Sequence, residues 1–344
     1  MMLPRLHPGW ARSMLPLMLP VMLPVLVLAG LPGGAWAQAK PSAPAVKSGS
    51  PAAAAAPGPS AREPDIAYGA YQRGSYLTAF LEATRRVEDK ADPKAMTLLG
   101  ELYAQGFAVA ADDKKAAEWY RLAVARGDRE AMFALAMLHF AGRASPRNRD
   151  EMVRLLTSAA NLGHAVAAYN LGLLYLEGQQ FPQDLAGAAE LFRKASDLGN
   201  PEAQYALATM YKDGRGIAKD MDEAVRLLAA SAQAGNLDAT VEYAIAMFNG
   251  VGTARDETGA AALFLKAARR GSAIAQNRLA RILAAGRGMP VDSVQAMKWH
   301  IVAKAGGAGD LYLDDFASKQ TAEHRAAAEQ AAKPWIPPGR APRS

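Results

Sequence analysis

Between Gly199 and Gly235 the apolar positions fall into two helical registers, each closed by a glycine. Asn200 is placed to cap a helix and Pro201 to occupy its first turn, where a missing N–H costs little. Ala203, Leu207, Met210 and Tyr211 then recur at helical spacing until Gly214, which defines one apolar face. Asp220 and Glu223 open a second helix with a capping-box pattern, Ala224, Leu227, Leu228 and Ser231 supply its face, and Gly235 ends it. This stretch predicts a helical hairpin too small to bury its own apolar faces, so it needs copies of itself.

The copies recur every 36 residues: Ala95, Ala131, Ala167, Ala203, Ala239 and Ala275 form one ladder. The mid-unit glycine repeats as Gly106, Gly142, Gly178, Gly214, Gly250 and Gly286, and the closing one as Gly127, Gly163, Gly199, Gly235, Gly271 and Gly307. The cap of the second helix reads Asp112, Asn148, Asp184, Asp220, Asp256, Asp292. Six units in register without an insertion predict an all-α solenoid of helix-turn-helix repeats, in which each hairpin contacts mainly its neighbours.

The flanks differ in character. Residues 1–37 read as a signal peptide: Arg5, His7 and Arg12 precede an apolar run from Met14 to Leu31, and Ala35-Trp36-Ala37 offers a small-x-small cleavage site. Pro16, Pro20 and Pro24 interrupt that run and argue against a long membrane helix, an uncleaved anchor being the alternative. Export follows as the expectation, to the periplasm first and to the outside second, with no stable membrane insertion once the signal is removed. Residues 38–63, rich in Ala, Pro and Ser, are expected to be a disordered linker. Residues 64–94 read as an irregular N-terminal capping hairpin with Tyr68, Tyr71, Tyr76 and Phe80 as its packing face. The six repeats span 95–310, and residues 311–333 supply closing helices at Leu311–Phe316 and Thr321–Ala332. The remainder, 334–344, is expected to be a disordered tail, although Trp335 could fold back as a lid on the final hairpin.

The pattern Ala-x-x-x-Leu-Gly-x-x-Tyr-x-x-Gly, a short loop, Asp, then Ala and Ala-x-x-Gly resembles the Sel-one-like repeat, a cousin of the tetratricopeptide repeat. Leu99-Gly100 with Tyr103 and Gly106, and Leu171-Gly172 with Tyr175 and Gly178, carry the match best. Ala208, Ala244 and Ala280 replace the second-position glycine, and the loop Gly-x-Gly appears only in units four to six (Gly214/Gly216, Gly250/Gly252, Gly286/Gly288). The resemblance covers about two thirds of the chain and implies a right-handed α-solenoid superhelix used for protein–protein contact, often in bacterial envelope signalling or assembly.

On each first helix, positions 0, 4, 7, 8 and 11 from the ladder alanine build the core, while positions 2, 6 and 9 lie nearly opposite. A solvated helix would be polar there. Instead these positions hold Phe133, Met137, Phe140; Tyr169, Leu173, Leu176; Tyr205, Thr209, Lys212; and Val241, Ile245, Phe248. The outer units are more polar, with Thr97, Glu101, Ala104 at one end and Asn277, Arg281, Ala284 at the other. By similarity to tetratricopeptide arrays this face lines the concave groove. Either it is open, to take an extended peptide or partner helix, or the stripe packs against adjacent first helices. The candidate partner-binding residues are Phe133, Met137, Phe140, Tyr169, Leu173, Leu176, Tyr205, Thr209, Val241, Ile245, Phe248 and Arg281.

Composition narrows the chemistry. The chain has no cysteine, hence no disulfide and no thiolate metal site. Lys and Arg exceed Asp and Glu by six, but both signs are interspersed, and no basic block suggests nucleic acid. His7, His139, His164, His300 and His324 share no metal-ligand spacing, and His139 and His300 occupy positions held by aromatics in sister units. The Gly-x-Gly loops follow helices rather than strands, so they read as repeat turns, not phosphate cradles. Cysteine-rich members of the family are linked to penicillin binding and β-lactam hydrolysis, so a β-lactam-hydrolysing repeat protein is a further alternative, ranked lower because this chain lacks those cysteines and has no Ser-x-x-Lys. No catalytic site, metal or cofactor is expected. Binding of a glycan or peptidoglycan by the tyrosines is the alternative, with few polar partners beside them beyond Glu177, Asp213 and Asn249.

Overall fold

The repeating sequence signals act as helix boundaries throughout the computed structural model, which describes residues 65–143, 146–178 and 182–336. The expected signal peptide and linker lie outside the described residues, as do 337–344. An opening hairpin is formed by α1 (Ile66–Gln72) and α2 (Tyr76–Lys90). Six pairs follow: α3 (Pro93–Gln105) with α4 (Asp113–Val124), α5 (Arg129–Ala141) with α6 (Arg149–Asn161), and α7 (Ala165–Glu177) with α8 (Leu185–Asp197). Then come α9 (Pro201–Asp213) with α10 (Met221–Gln233), α11 (Leu237–Asn249) with α12 (Glu257–Arg269), and α13 (Ala273–Ala285) with α14 (Ser293–Ala305). Two further helices, α15 (Leu311–Ser318) and α16 (Ala322–Ala332), close the array. Among the described residues there are sixteen α-helices and no strand. Each helix from α1 to α14 packs on the next, within a pair and from pair to pair. The fold is an all-α solenoid with a 36-residue period.

The caps explain the regularity. Every first and second helix starts at a residue whose side chain accepts a bond from a first-turn N–H, as Asp128 does from Ala131 and Asn200 from Ala203, both at 2.7 Å. The exception in type is His164, whose Nδ1 accepts from the Ala167 N–H at 3.0 Å. Each first helix of the six pairs ends on a mid-unit glycine in the left-handed conformation, φ 66–72°, which an L side chain adopts only at a cost. A backbone bond then ties the cap of the second helix to the last turn of the first: Asp112 N–H to Tyr103 C=O at 3.0 Å, and Asp256 N–H to Met247 C=O at 2.9 Å.

The core lies between layers of the stack. The ladder alanines are at most 2% exposed. A second 36-residue column, Tyr120, Leu156, Phe192, Leu228, Phe264 and His300, fills the space within each hairpin, and all six are buried. At two of these rings the facing helix carries glycine: a Cβ added at Gly100 would sit 2.5 Å from the Tyr120 ring, and one at Gly172 2.7 Å from that of Phe192. The second glycine of Gly-x-Gly joins neighbouring units. A Cβ at Gly216, Gly252 or Gly288 would fall 2.2–2.6 Å from the carbonyl oxygen of Leu185, Met221 or Glu257, the first residue of the preceding second helix.

The ends depart from the pattern. At the N-terminus Tyr76 stacks on Phe107 with centroids 4.2 Å apart, and Tyr71 meets Tyr76 edge-on. At the C-terminus α16 packs along α14. The first residues of the expected tail are ordered: Lys333–Trp335 forms a 3-10 turn, favoured by the fixed φ of Pro334. The Trp335 ring stands edge-on to Trp299 at 4.9 Å, and the Lys298 ammonium lies over both rings at 4.4 and 4.8 Å. Burial lowers the Lys298 pKa, with Arg269 nearby adding to the effect.

Candidate partner-binding face

The stripe on the first helices is divided between packing and surface. Tyr169, Leu173 and Val241 are buried; Phe133, Met137, Phe140, Leu176, Tyr205, Thr209, Ile245 and Phe248 are half-buried; Arg281 is exposed. Several of these side chains reach the next unit. The Phe133 ring stacks on His164 with centroids 4.6 Å apart. Because His164 Nδ1 accepts the cap bond, its Nε2 carries the proton and donates to Glu130 Oε2 at 3.0 Å. That bond draws the Glu130 carboxyl below its usual range. Tyr205 Oη donates to Glu242 Oε1 at 2.9 Å, and Lys212 Nζ donates to Glu242 Oε2 at 2.7 Å. Burial, with Glu242 adding to it, raises the Tyr205 pKa. Tyr169 tilts against Phe192 at 5.7 Å, and burial pushes its hydroxyl up to about 12.

Open volume lies at the two ends of the same face. At the N-terminal end a cavity of about 520 Å³ is walled by α1, α3 and the start of α5. Tyr68, Tyr71 and Tyr120 alternate there with Arg86, Lys94, Arg129, Asp65, Glu101, Asp128 and Glu130. The charges are largely matched internally: Arg86 bonds both Asp65 and Asp92, and Tyr120 Oη donates to Glu101 at 3.0 Å. Burial, and then Glu101, pushes the Tyr71 hydroxyl up to about 12.

At the C-terminal end a cavity of about 360 Å³ brings together Ile245, Phe248 and Arg281, three of the candidates from sequence, with Arg278, Arg287 and Tyr312. Arg281 forks onto Asp310, Nε to Oδ2 at 2.5 Å and Nη2 to Oδ1 at 2.8 Å. Asn277 adds a bond to Asp310 Oδ2 at 3.0 Å. Burial would raise the Asp310 carboxyl, but the bonds from Arg281 and Asn277 outweigh it and hold the group down to about 2. Arg287 bonds Glu257 at 2.5 Å while lying over the Phe248 ring at 4.4 Å, and Arg281 lies over Tyr312 at 5.1 Å. Arg287 and then Arg255 hold Glu257 down to about 2.

Arg278, Arg287, Tyr312 and the residues of the N-terminal cavity were not among the sequence candidates. The available signal was the polar character of the end units, where Glu101, Asn277 and Arg281 break the stripe; Arg278 and Arg281 also share one helix face at i, i+3. Among the described residues there is no cluster of three His, Cys, Asp or Glu side chains able to hold a metal. No described helix is long and apolar enough to cross a membrane.

These features define an α-solenoid whose first-helix face carries a mixed stripe with an open cavity at each end. The profile of the Sel1 repeat matches six times, at 93–128, 129–164, 165–200, 201–236, 238–272 and 273–307. The chain therefore belongs to the Sel1 repeat family, within the tetratricopeptide-like superfamily. Such repeats generally serve as scaffolds for protein interaction. Among solved structures, the chain is similar to a Sel1 repeat protein from Oxalobacter formigenes, with 25% identity, a TM-score of 0.56, and coverage of 68% of this chain and 93% of the other. It is also similar to c5321, a protective antigen of uropathogenic Escherichia coli with an SLR fold, with 24% identity, a TM-score of 0.52 and coverage of 78% and 67%. No curated protein matches it by sequence.

Proposed function

We propose that this protein is an exported scaffold, resident in a bacterial periplasm, that binds a protein or peptide partner through the first-helix face and carries no catalytic site. Its place is in envelope signalling or assembly. The observation that carries the reading is the C-terminal cavity, where half-buried apolar side chains stand beside guanidinium groups on the first-helix face. Mixed apolar and arginine surfaces are the composition of protein-binding hot spots. Export rests on the leader pattern of residues 1–37. A glycan reading has less support: the Tyr169 ring is buried against Phe192, and the Tyr205 hydroxyl is already bonded to Glu242.

The test is in-cell photocrosslinking from Phe248, with Leu122, an exposed residue on a second helix, as the control site. A discrete adduct from Phe248 that is absent from Leu122 supports the reading; equal or no adducts from both sites refute it. Fractionation of cells expressing the full chain, compared with one lacking residues 1–37, tests export through the size and location of the product.

A further inference from the structure

The cavity at the C-terminal end has an electrostatic asymmetry that narrows its occupant. Arg278, Arg281 and Arg287 line it, and no carboxylate does. Two of these guanidinium groups are held from outside, Arg281 by Asp310 and Arg287 by Glu257. Both are thereby fixed in orientation and partly neutralised. Arg278 is exposed, projects from α13 one turn before Arg281, and makes no hydrogen bond or ion pair among the described residues. Its donors are free for an anion, and Ile245, Phe248 and Tyr312 stand beside it as apolar walls.

The flanking stretches of this sequence are poor in acidic side chains. Residues 1–64 carry Glu63 as their one acidic side chain, and 337–344 carry Arg340 and Arg343 with none. Resting on the scaffold reading above, we infer that the C-terminal cavity receives an acidic segment of a partner protein. A Glu or Asp side chain of that segment bonds Arg278, and a neighbouring apolar side chain lies between Phe248 and Tyr312. Guanidinium favours a carboxylate because its planar fork matches two oxygens. The apolar walls distinguish such a segment from a free anion.

Fluorescence polarisation with the purified full chain tests this, using a labelled Glu-Phe-Glu-Glu-Phe peptide. The same peptide with Gln for Glu, or with Ala for Phe, supplies the two controls. Binding of the parent peptide should weaken at least about tenfold on either replacement, and should weaken with added salt. Arg278→Glu, a surface change, should reduce it by a similar factor, and Arg278→Lys less. Tyr312→Ala should matter for the Phe peptide and not for the Ala peptide. Equal binding of the Gln peptide, or full displacement by inorganic phosphate without dependence on Phe, overturns the inference. If the peptide fails while crosslinking from Phe248 still captures a discrete partner, unchanged by Arg278→Glu, the acidic-segment inference falls and the scaffold reading stands. If both fail, both fall.

Discussion

Replacing Gly288 by alanine should loosen the joint between the last two repeats, and the size of the effect follows from two separable causes. Gly288 sits at φ +76°, in the left-handed region, which costs an alanine about 1–2 kcal/mol. Its added Cβ would also lie 2.2 Å from the Glu257 carbonyl oxygen and 2.6 Å from the carbonyl carbon. Those are backbone atoms of the first turn of α12, so no side-chain rotation relieves the overlap, and displacement of the loop costs about another 1–3 kcal/mol. The total is about 2–5 kcal/mol. Gly271→Ala isolates the first cause: its φ is +91°, and nothing lies within 4 Å of the added Cβ. Ala108 occupies the equivalent position of the first full unit at φ +64°, so Ala108→Gly should stabilise, by about 1 kcal/mol. The assay is urea unfolding of the three variants followed by far-UV circular dichroism, with the slope compared as well as the midpoint. Loss of the inter-repeat joint in Gly288→Ala should also reduce the slope, because nearest-neighbour coupling makes a solenoid unfold as one. Equal destabilisation by Gly271→Ala and Gly288→Ala would refute the docking of the loop on α12.

Three further outcomes are expected. Tyr169→Ala should cost about 3–5 kcal/mol, since it removes a ring 9% exposed and packed on Phe192; an unchanged melting temperature would place that ring in an open groove instead. Tyr205→Phe keeps the ring and removes one bond to Glu242, which retains Lys212, so the loss should be only about 1 kcal/mol by the same melt. Asp310 titrates at about 2 when folded, below its ordinary range. Its stabilising contribution is therefore complete above about pH 4 and is lost as pH falls towards 2. Asp310→Asn should flatten acid unfolding between those limits, and an unaltered acid limb would contradict the Arg281–Asp310 pairing.

Legibility in the sequence tracks how local each determinant is. The caps and stop glycines act within one turn, so Asn200, Asp220, Gly214 and Gly235 announce their helices without knowledge of the rest. The ladder alanines are legible because repetition converts a tertiary contact into a sequence period. His164 is less so: as a cap it uses an imidazole nitrogen where its sister units use Asp, Asn or Ser, and only the bond to Glu130 explains the substitution. The site divides in the same way. Ile245, Phe248 and Arg281 emerge from helical periodicity, whereas Arg287 comes from a loop and Tyr312 from a closing helix outside the period. Their convergence on one cavity depends on how far α13, its loop and α15 lean together, and no spacing rule encodes that.

The placement of both cavities follows from the same repetition. In the middle of a solenoid each first helix has a neighbour on either side, and large side chains at positions 2, 6 and 9 reach across to it. Phe133 covers His164, and Tyr205 with Lys212 clamps Glu242, a glutamate on the next first helix. The apolar stripe is therefore partly spent on holding layers together, and its larger residues gain burial without a partner. At each end the regular neighbour is replaced by something shorter: α1, with 7 residues, before α3, and α15, with 8, after α13. A short helix cannot cover a face 13 residues long, and the uncovered remainder becomes the open volume. Residues bordering it meet water, which selects charged side chains there and leaves Arg278 without a partner. A ligand of this face thus finds open seats where the repeat pattern stops rather than where it is most regular. Extending α15 to full length by adding residues of a standard first helix should close the C-terminal cavity and abolish binding there, leaving the N-terminal one untouched. Retention of binding by such a chain would show that the recognition surface lies in the middle units after all.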